Sequence, residues 1–440
     1  MSERERLRQL SRRHFLIGVG AALGLSALEG CRVREIVSLV TRGTPAPTFV
    51  STSIRPPGIP TAGLTATNTA SWVEMDTPQA TAPSGGTPGT FGTPTPTPTP
   101  TDTPTPTATP SATPTATATP TTTPTPYPPG PPSKLGIFTT RADPQITTLI
   151  QMGKPALVKT LDLDPNLGRF IKANSPTTIL VGRLALDQVD LTADPKPLAR
   201  DVAGRVLEFA MDPVRHETYD AWEAYNEPIA DTVDKMKRLA DLEAERTRLL
   251  GERSVRSVVG NFAAGHPPLE LWQYFEPALA AARQYNGYLG VHEYSAPIMQ
   301  WAFGALQSTA GADERDEGWL TIRYRKAYRY YLSPMGYGNL PLLITECGVD
   351  GTIQPRPGPA EAMGWRDFEL FWLSNGLRDD IAGVYMDQLM WYDSEMHKDD
   401  YVKGAAVFAA GASPDWESYE ILGRTAELLT QYLSVHPPKQ

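Results

Sequence analysis

Residues 219–228 read Tyr-Asp-Ala-Trp-Glu-Ala-Tyr-Asn-Glu-Pro, and the fold of the surrounding chain can be worked out from this stretch. Its aromatic and apolar start predicts a buried strand, which Asn226 and Pro228 end abruptly. Pro228 cannot continue a central strand, and it favours an extended backbone at Glu227. The stretch therefore predicts that the carboxylate of Glu227 stands at the C-terminal end of a strand, beside the Asn226 amide.

A second stretch repeats this arrangement farther along the chain. Residues 342–345 (Leu-Leu-Ile-Thr) form an apolar run, and Glu346 and the turn residue Gly348 follow it. Two carboxylates at the ends of two strands are the minimum equipment for hydrolysis of a glycosidic bond. One of them protonates the leaving oxygen, and the other attacks the sugar or activates water.

The chain from residue 134 to residue 440 alternates short apolar runs with longer amphipathic ones. Helical periodicity appears at 198–209, 232–250, 269–283, 322–332, 365–374 and 419–433. Strands are predicted at 135–138, 156–161, 178–184, 219–225, 255–260, 288–292, 342–345 and 381–386. Eight strands alternating with helices predict an α/β fold of one domain, the (β/α)8 or TIM barrel.

A doubly wound open sheet would show the same alternation. That fold normally begins with a phosphate-binding loop after its first strand, and residues 139–142 (Thr-Thr-Arg-Ala) do not form one. In a barrel, the C-terminal ends of all strands surround one cleft. Glu227 on strand four and Glu346 on strand seven are therefore expected to face the same space.

The pair Asn226-Glu227 on strand four, together with Glu346 on strand seven, resembles clan A of the retaining glycoside hydrolases. The resemblance implies that Glu227 is the general acid/base and Glu346 the nucleophile. It also implies that Asn226 binds the sugar hydroxyl at carbon 2. No cofactor is implied, and the six histidines lack the spacing or clustering of a zinc site.

Further substrate-binding residues follow from the same resemblance. His292 and Tyr294 end strand six, where the clan often has a histidine and a tyrosine, and Tyr294 would donate a hydrogen bond to the nucleophile. Trp391, after the predicted strand eight, would form an aromatic floor under the sugar. The clan commonly has an arginine on strand two and a histidine or similar polar group on strand three, where this chain has Lys159 and Arg183.

The N-terminus, residues 1–31, has the features of an export signal. Arg12 and Arg13 precede an apolar run at 15–28, which is shorter than the roughly 18 residues expected of a spanning helix. The paired arginines resemble a twin-arginine signal, and residues 28–31 (Leu-Glu-Gly-Cys) resemble a lipobox. The resemblance implies a bacterial protein that is exported to the cell surface, periplasm or medium and anchored to the membrane by a lipid on Cys31.

Residues 32–133 are predicted to form a disordered linker. From residue 44 onward Thr, Pro, Ala and Ser dominate and charges are scarce, ending in Thr-Pro repeats. Such a segment has too few large apolar side chains to offset the entropy lost on folding. The linker would separate the export signal from the domain at 134–440.

The composition limits the partners. The chain carries a net charge of -9 and has no basic stripe, so nucleic acid is not expected to bind. A carbohydrate substrate is the expected partner, together with the membrane. Two other functions fit the same sequence: a non-catalytic barrel that binds carbohydrate or acts as a scaffold at the surface, and a transglycosylase that uses the same residues.

Overall fold

The structure, a computed structural model, describes residues 127–303 and 316–438. The predicted export signal, Cys31 and most of the predicted linker lie outside the described residues. Within the described residues, no helix combines the length and the apolar character that crossing a membrane requires.

Eight parallel strands form one sheet in the order β4-β3-β2-β1-β8-β7-β6-β5. They are β1 (Leu135–Thr139), β2 (Leu157–Thr160), β3 (Ile179–Gly182), β4 (Ala221–Trp222), β5 (Val258–Phe262), β6 (Tyr288–Ser295), β7 (Leu342–Val349) and β8 (Val402–Ala410). The two edge strands, β4 and β5, meet through a parallel bridge between Trp222 and Ser257. The sheet therefore forms a nearly closed barrel, which confirms the predicted (β/α)8 fold.

Helices connect the strands. In chain order they are α1 (Pro144–Thr148), α2 (Pro165–Asn174), α3 (Pro195–Ala210), α4 (Pro213–Thr218), α5 (Val233–Gly251), α6 (Glu276–Gln284), α7 (Tyr324–Ala327), α8 (Glu369–Ser374), α9 (Ile381–Met396) and α10 (Arg424–Val435). Short 3-10 helices span Leu269–Tyr274, Trp365–Phe368 and Pro414–Tyr419, and π-helical turns span Leu149–Gly153 and Tyr328–Leu332. Aspartate side chains accept a hydrogen bond at the first turns of α1 to α4, each of which begins with proline, and so fix where these helices start.

The prediction of strand eight at 381–386 is wrong, because this run is the first part of α9. The Asp380 side chain accepts a hydrogen bond from Gly383 N at 3.1 Å and caps the helix. The apolar run at the start of α9 is largely buried, and a short apolar run does not distinguish a buried helix from a strand. The true eighth strand, β8, consists mainly of alanine and glycine, which have low strand propensity.

Residues 127–133, which the sequence analysis assigned to the linker, contact the end of α10. The Tyr127 ring packs edge-on against Tyr432, with centroids 5.5 Å apart. The backbone N–H of Gly130 donates to the carbonyl of Val435, and that of Ser133 donates to the carbonyl of His436. Folded contacts therefore begin before residue 134.

A buried ion pair from α5 completes the contact between β4 and β5. Arg246 donates to the carbonyl oxygens of Trp222 on β4 (3.3 Å) and Val258 on β5 (2.8 Å). The same guanidinium donates to Glu243 at 2.6 and 2.8 Å, and both side chains are almost fully buried. Because the two strands share only one bridge, Arg246 satisfies backbone groups that a continuous ladder would otherwise pair.

We expect Arg246→Met to lower the free energy of unfolding by about 3–5 kcal/mol, because it leaves a buried carboxylate on Glu243 without its partner. Urea denaturation followed by circular dichroism measures this change. Arg248→Met, on the same helix, is the matched control, because Arg248 forms its ion pairs at the surface. An equal loss of stability in the two variants would contradict the role given to Arg246.

Candidate active site

Glu227 lies in the connection between β4 and α5, five residues beyond the end of the strand. Its backbone is left-handed, with φ of 45°, so the extended conformation expected from the following proline is wrong. Tertiary contacts hold this unfavourable backbone: Glu227 N donates to the carbonyl of Asn261 at 3.1 Å, and Gln188 Nε2 donates to the carbonyl of Glu227 at 2.9 Å. The Glu227 side chain is 38 % exposed.

Glu346 lies on β7, and its carboxylate is only 8 % exposed. Its Oε1 accepts hydrogen bonds from Lys159 Nζ at 2.9 Å and from Arg183 at 3.3 Å. Its Oε2 accepts a hydrogen bond from the hydroxyl of Tyr294 at 2.8 Å. Strands β2 and β6 and the residue directly after β3 thus each supply a group to this carboxylate, and the two positions that depart from the clan pattern, Lys159 and Arg183, both contact it.

His292 lies between the two carboxylates. Its Nδ1 is 2.9 Å from Oε1 of Glu227 and 3.5 Å from Oε2 of Glu346, and its side chain is fully buried. One carboxylate oxygen of Glu227, one of Glu346 and a ring nitrogen of His292 all lie within 4.8 Å of one another. The structure therefore brings together six of the eight residues that the sequence analysis proposed for the catalytic and substrate-binding positions: Glu227, Glu346, His292, Tyr294, Lys159 and Arg183.

The surroundings of Glu346 favour its ionised form. Burial by itself raises the pKa of this carboxyl, but the electrostatic interactions with His292, Lys159 and Arg183 outweigh burial and lower the pKa from 4.5 to about 2. Burial and the neighbouring Glu346 carboxylate raise the pKa of Tyr294 well above its ordinary value, so Tyr294 stays a hydrogen-bond donor.

Lys159 is shared with a third carboxylate. Its Nζ lies 2.9 Å from Oε2 of Glu223 as well as from Glu346, and both Lys159 and Glu223 are fully buried. Neither oxygen of Glu223 has a hydrogen-bond partner, so this contact is an ion pair without hydrogen-bond geometry. The ammonium of Lys159 is therefore shared between the carboxylates of Glu223 and Glu346.

The two remaining predicted residues, Asn226 and Trp391, are not shown to contact either carboxylate. Asn226 lies directly before Glu227 and is partly exposed, with its Oδ1 buried and without a hydrogen-bond partner. Trp391 lies on α9, where it packs edge-on against Phe303 at 5.2 Å. Because the predicted strand eight is a helix, Trp391 precedes β8, and its predicted position after strand eight is wrong.

The aromatic residues of β8 and of the connection after it were missed. Phe408, on β8, packs against Tyr294 with ring centroids 6.3 Å apart, and Trp416 packs edge-on against Phe408 at 5.4 Å. Trp416 is partly exposed. Correct placement of strand eight would have pointed to both residues, since they occupy its end and the connection that follows.

Glu227, His292 and Glu346 are also the group that a metal ion could share among the described residues. Lys159 and Arg183 place two positive charges against Glu346, and these charges oppose the binding of a cation. The arrangement suits proton transfer and nucleophilic attack by the carboxylates better than metal coordination.

No protein-family model and no curated protein matches the chain. The structure is similar to XacCel5A, with a TM-score of 0.40, 13% identity, and coverage of 69% of this chain and 99% of that one. It is similar to a GH128 endo-beta-1,3-glucanase from Pseudomonas viridiflava, with a TM-score of 0.35, 16% identity, and coverage of 68% of this chain and 96% of that one.

It is also similar to a beta-glucuronidase from Ruminococcus gnavus, with a TM-score of 0.43 and 11% identity. This match covers 69% of the chain but only 50% of the glucuronidase. At these identities and TM-scores the function of the chain rests on its own side chains.

Proposed function

We propose that the chain is a glycoside hydrolase that cleaves β-linked sugars with retention of configuration. The observation that carries the proposal is the distance between the two carboxylates, since oxygens of Glu227 and Glu346 lie within 4.8 Å of each other. Retaining enzymes hold these groups about 5–5.5 Å apart, whereas inverting enzymes need about 6.5–9.5 Å to admit a water. The short distance favours direct attack by a carboxylate.

In the first step, Glu346 attacks the anomeric carbon and forms a covalent glycosyl ester. An attacking carboxylate has to be ionised and fixed in direction. Lys159 and Arg183 favour the negative charge on Oε1, and Tyr294 fixes Oε2. These contacts, made to the buried carboxylate from β2, from β6 and from the residue after β3, support the assignment of Glu346 as the nucleophile.

Glu227 supplies the proton to the departing oxygen in the first step. In the second step it removes a proton from the water that hydrolyses the ester, and Glu346 leaves as a carboxylate. Glu227 is the more exposed of the two carboxylates, which suits exchange of protons with leaving groups and water. His292, at 2.9 Å from Oε1 of Glu227, orients it. Both steps use only these side chains and water.

We also propose that the protein is exported and held at the membrane by a lipid on Cys31. This proposal is supported by the sequence of residues 1–31 alone. A surface location would bring the barrel to carbohydrate outside the cytoplasm.

The two glutamates should differ in their response to the leaving group. Glu227→Ala should lose about 10²–10⁴-fold in kcat/KM on natural saccharides but far less in the first step on dinitrophenyl glycosides, because a dinitrophenolate departs without protonation. Glu346→Ala should be nearly inactive on both substrates, because no leaving group replaces an absent nucleophile. Steady-state and burst kinetics of the full-length chain on both substrate classes measure the difference.

Azide identifies the products of the two variants. Added azide should accelerate Glu227→Ala and give a β-glycosyl azide, whereas rescue of Glu346→Ala should give the α-product. Reversed products would show that the two roles are exchanged. Binding of saccharides without turnover of any substrate in a broad panel would indicate the non-catalytic barrel instead.

Removal of Lys159 should change the titration of Glu346. The pKa of Glu346 is depressed to about 2, so its ion pairs stabilise the fold above its ordinary value of 4.5, and this contribution is lost as the pH falls toward 2. In Lys159→Met we expect the carboxyl to titrate about 1–3 pH units higher. Carbon-13 NMR of protein labelled at the glutamate carboxyls measures the midpoint.

Arg183→Gln should also raise the titration midpoint of Glu346. The charge that this variant removes is less buried than that of Lys159, because Arg183 is partly exposed. Lys172→Met is the control, since Lys172 pairs with Asp220 and not with Glu346. A midpoint that is unchanged in both Lys159→Met and Arg183→Gln would contradict the electrostatic role of these cations.

The anchor is tested separately. If Cys31 carries the lipid, the wild-type protein should sediment with membranes, and Cys31→Ser should release it or leave it unprocessed. Fractionation followed by mass spectrometry of the mature N-terminus measures both outcomes. Wild-type protein found free in the medium with an unmodified Cys31 would refute the lipid anchor.

A further inference from the structure

Asp350 extends the contact between β6 and β7 beyond the ends of both strands. It lies four residues after Glu346, and its backbone N–H donates to the carbonyl of Ser295 at 3.1 Å. This position is at the C-terminal end of the barrel, where the proposed nucleophile also lies. The Asp350 side chain is partly exposed.

The carboxylate of Asp350 is fixed but has acceptor capacity left. Oδ1 accepts hydrogen bonds from Thr352 N and from the hydroxyl of Tyr419, each at 2.8 Å. The single hydroxyl proton of Thr352 is shared between Oδ1 at 2.7 Å and Oδ2 at 2.9 Å. Because a carboxylate oxygen can accept two hydrogen bonds, Oδ2 keeps a position for a further donor.

Contacts between aromatic rings connect Asp350 to the proposed nucleophile. Tyr419, which donates to Asp350, packs edge-on against Phe408 with ring centroids 5.4 Å apart. Phe408 contacts Tyr294, whose hydroxyl donates to Glu346. Burial raises the pKa of Asp350, and the negative charge of Glu227 adds to this rise.

Trp416 belongs to the same group of aromatic rings. It packs against both Phe408 and Tyr419, with ring centroids 5.4 and 5.3 Å away, and it stays partly exposed. An aromatic face beside a carboxylate is a combination that suits a sugar, since the face contacts the C–H groups and the carboxylate accepts from hydroxyls.

Three described cations near Glu346 or Asp350 already have partners. Lys159 is fully buried between Glu223 and Glu346, and Arg183 pairs with Glu346. The donors of Arg356 go to three main-chain carbonyls, those of Gly351, Pro357 and Ala362. None of these three cations is set aside to receive a substrate carboxylate, which would meet the negative charges of Glu227, Glu346 and Asp350.

We propose that Asp350 is a specificity-determining residue, which accepts a hydrogen bond from a hydroxyl of a neutral sugar and excludes uronic acids. This inference rests on the proposed glycosidase function and adds the class of substrate to it. The rival arrangement would use Arg141, which is exposed at the end of β1 beside Gly411, to bind a uronate.

Pairs of substrates that differ only at carbon 6 test the proposal on the full-length chain. The pairs are 4-nitrophenyl β-D-glucoside with the β-D-glucuronide, 4-nitrophenyl β-D-galactoside with the β-D-galacturonide, and a neutral β-glucan with a β-linked glucuronan. For wild type, kcat/KM should be at least about tenfold higher on the neutral member of each pair that is turned over. In Asp350→Asn, the ratio of neutral to acidic kcat/KM should fall about 10- to 100-fold.

The ratio is measured on one preparation of each variant, so a loss of folded protein cancels from it. Tyr419→Phe removes a donor to Asp350 but keeps its charge, and Glu361→Gln removes an exposed negative charge from the same connection. Both variants should keep the wild-type ratio. Arg141→Gln should keep it as well.

Two results would overturn the inference while leaving the glycosidase function intact: a wild-type preference for uronides, or a ratio that is unchanged in Asp350→Asn. A loss of uronide turnover in Arg141→Gln would support the rival arrangement. Absence of turnover on every pair would contradict the proposed function, and the inference with it.

Discussion

Closure of the parallel sheet between β4 and β5 is the constraint on which the rest of the structure depends. These strands share a single bridge, and the buried pair of Glu243 and Arg246 on α5 satisfies backbone groups on both sides of the gap. A closed parallel barrel brings every C-terminal strand end to one face. This closure places Glu227, which follows β4, within reach of Glu346 on β7, which lies on the other side of the barrel.

Once the two carboxylates share a cleft, their surroundings make them chemically different. Glu346 is buried and accepts hydrogen bonds from a lysine on β2, an arginine directly after β3 and a tyrosine on β6, which favour its charge. Glu227 is more exposed. Among the described ionisable groups, the ring of His292 is the one that forms a hydrogen bond with its carboxylate. A buried, ionised group beside an exposed group that can exchange protons is the division of labour that two-step glycoside hydrolysis requires.

Much of this arrangement could be predicted from local sequence, and the exceptions have physical causes. Seven of the strands were placed close to their observed positions, because their apolar runs are flanked by clear breaks. The eighth was placed at the start of α9, since a buried helix and a buried strand have the same local composition. Because of that error, Trp391 was predicted to follow strand eight, and Phe408 and Trp416 were not recognised as candidate site residues. Asp350 was missed because nothing in its neighbourhood distinguishes it from an ordinary turn residue.

The sequence by itself determined the fold class and which residues stand at the strand ends, because alternation of apolar and amphipathic runs is a local property of the chain. Tertiary structure alone decided the distances and charges. The left-handed backbone of Glu227 opposes the preference of a residue before proline, and it is held by Asn261 and Gln188 from other parts of the chain. The lowered pKa of Glu346 likewise depends on Lys159 and Arg183, which are more than 160 residues away in sequence. Such contacts arise from closure of the barrel, so no local pattern encodes them.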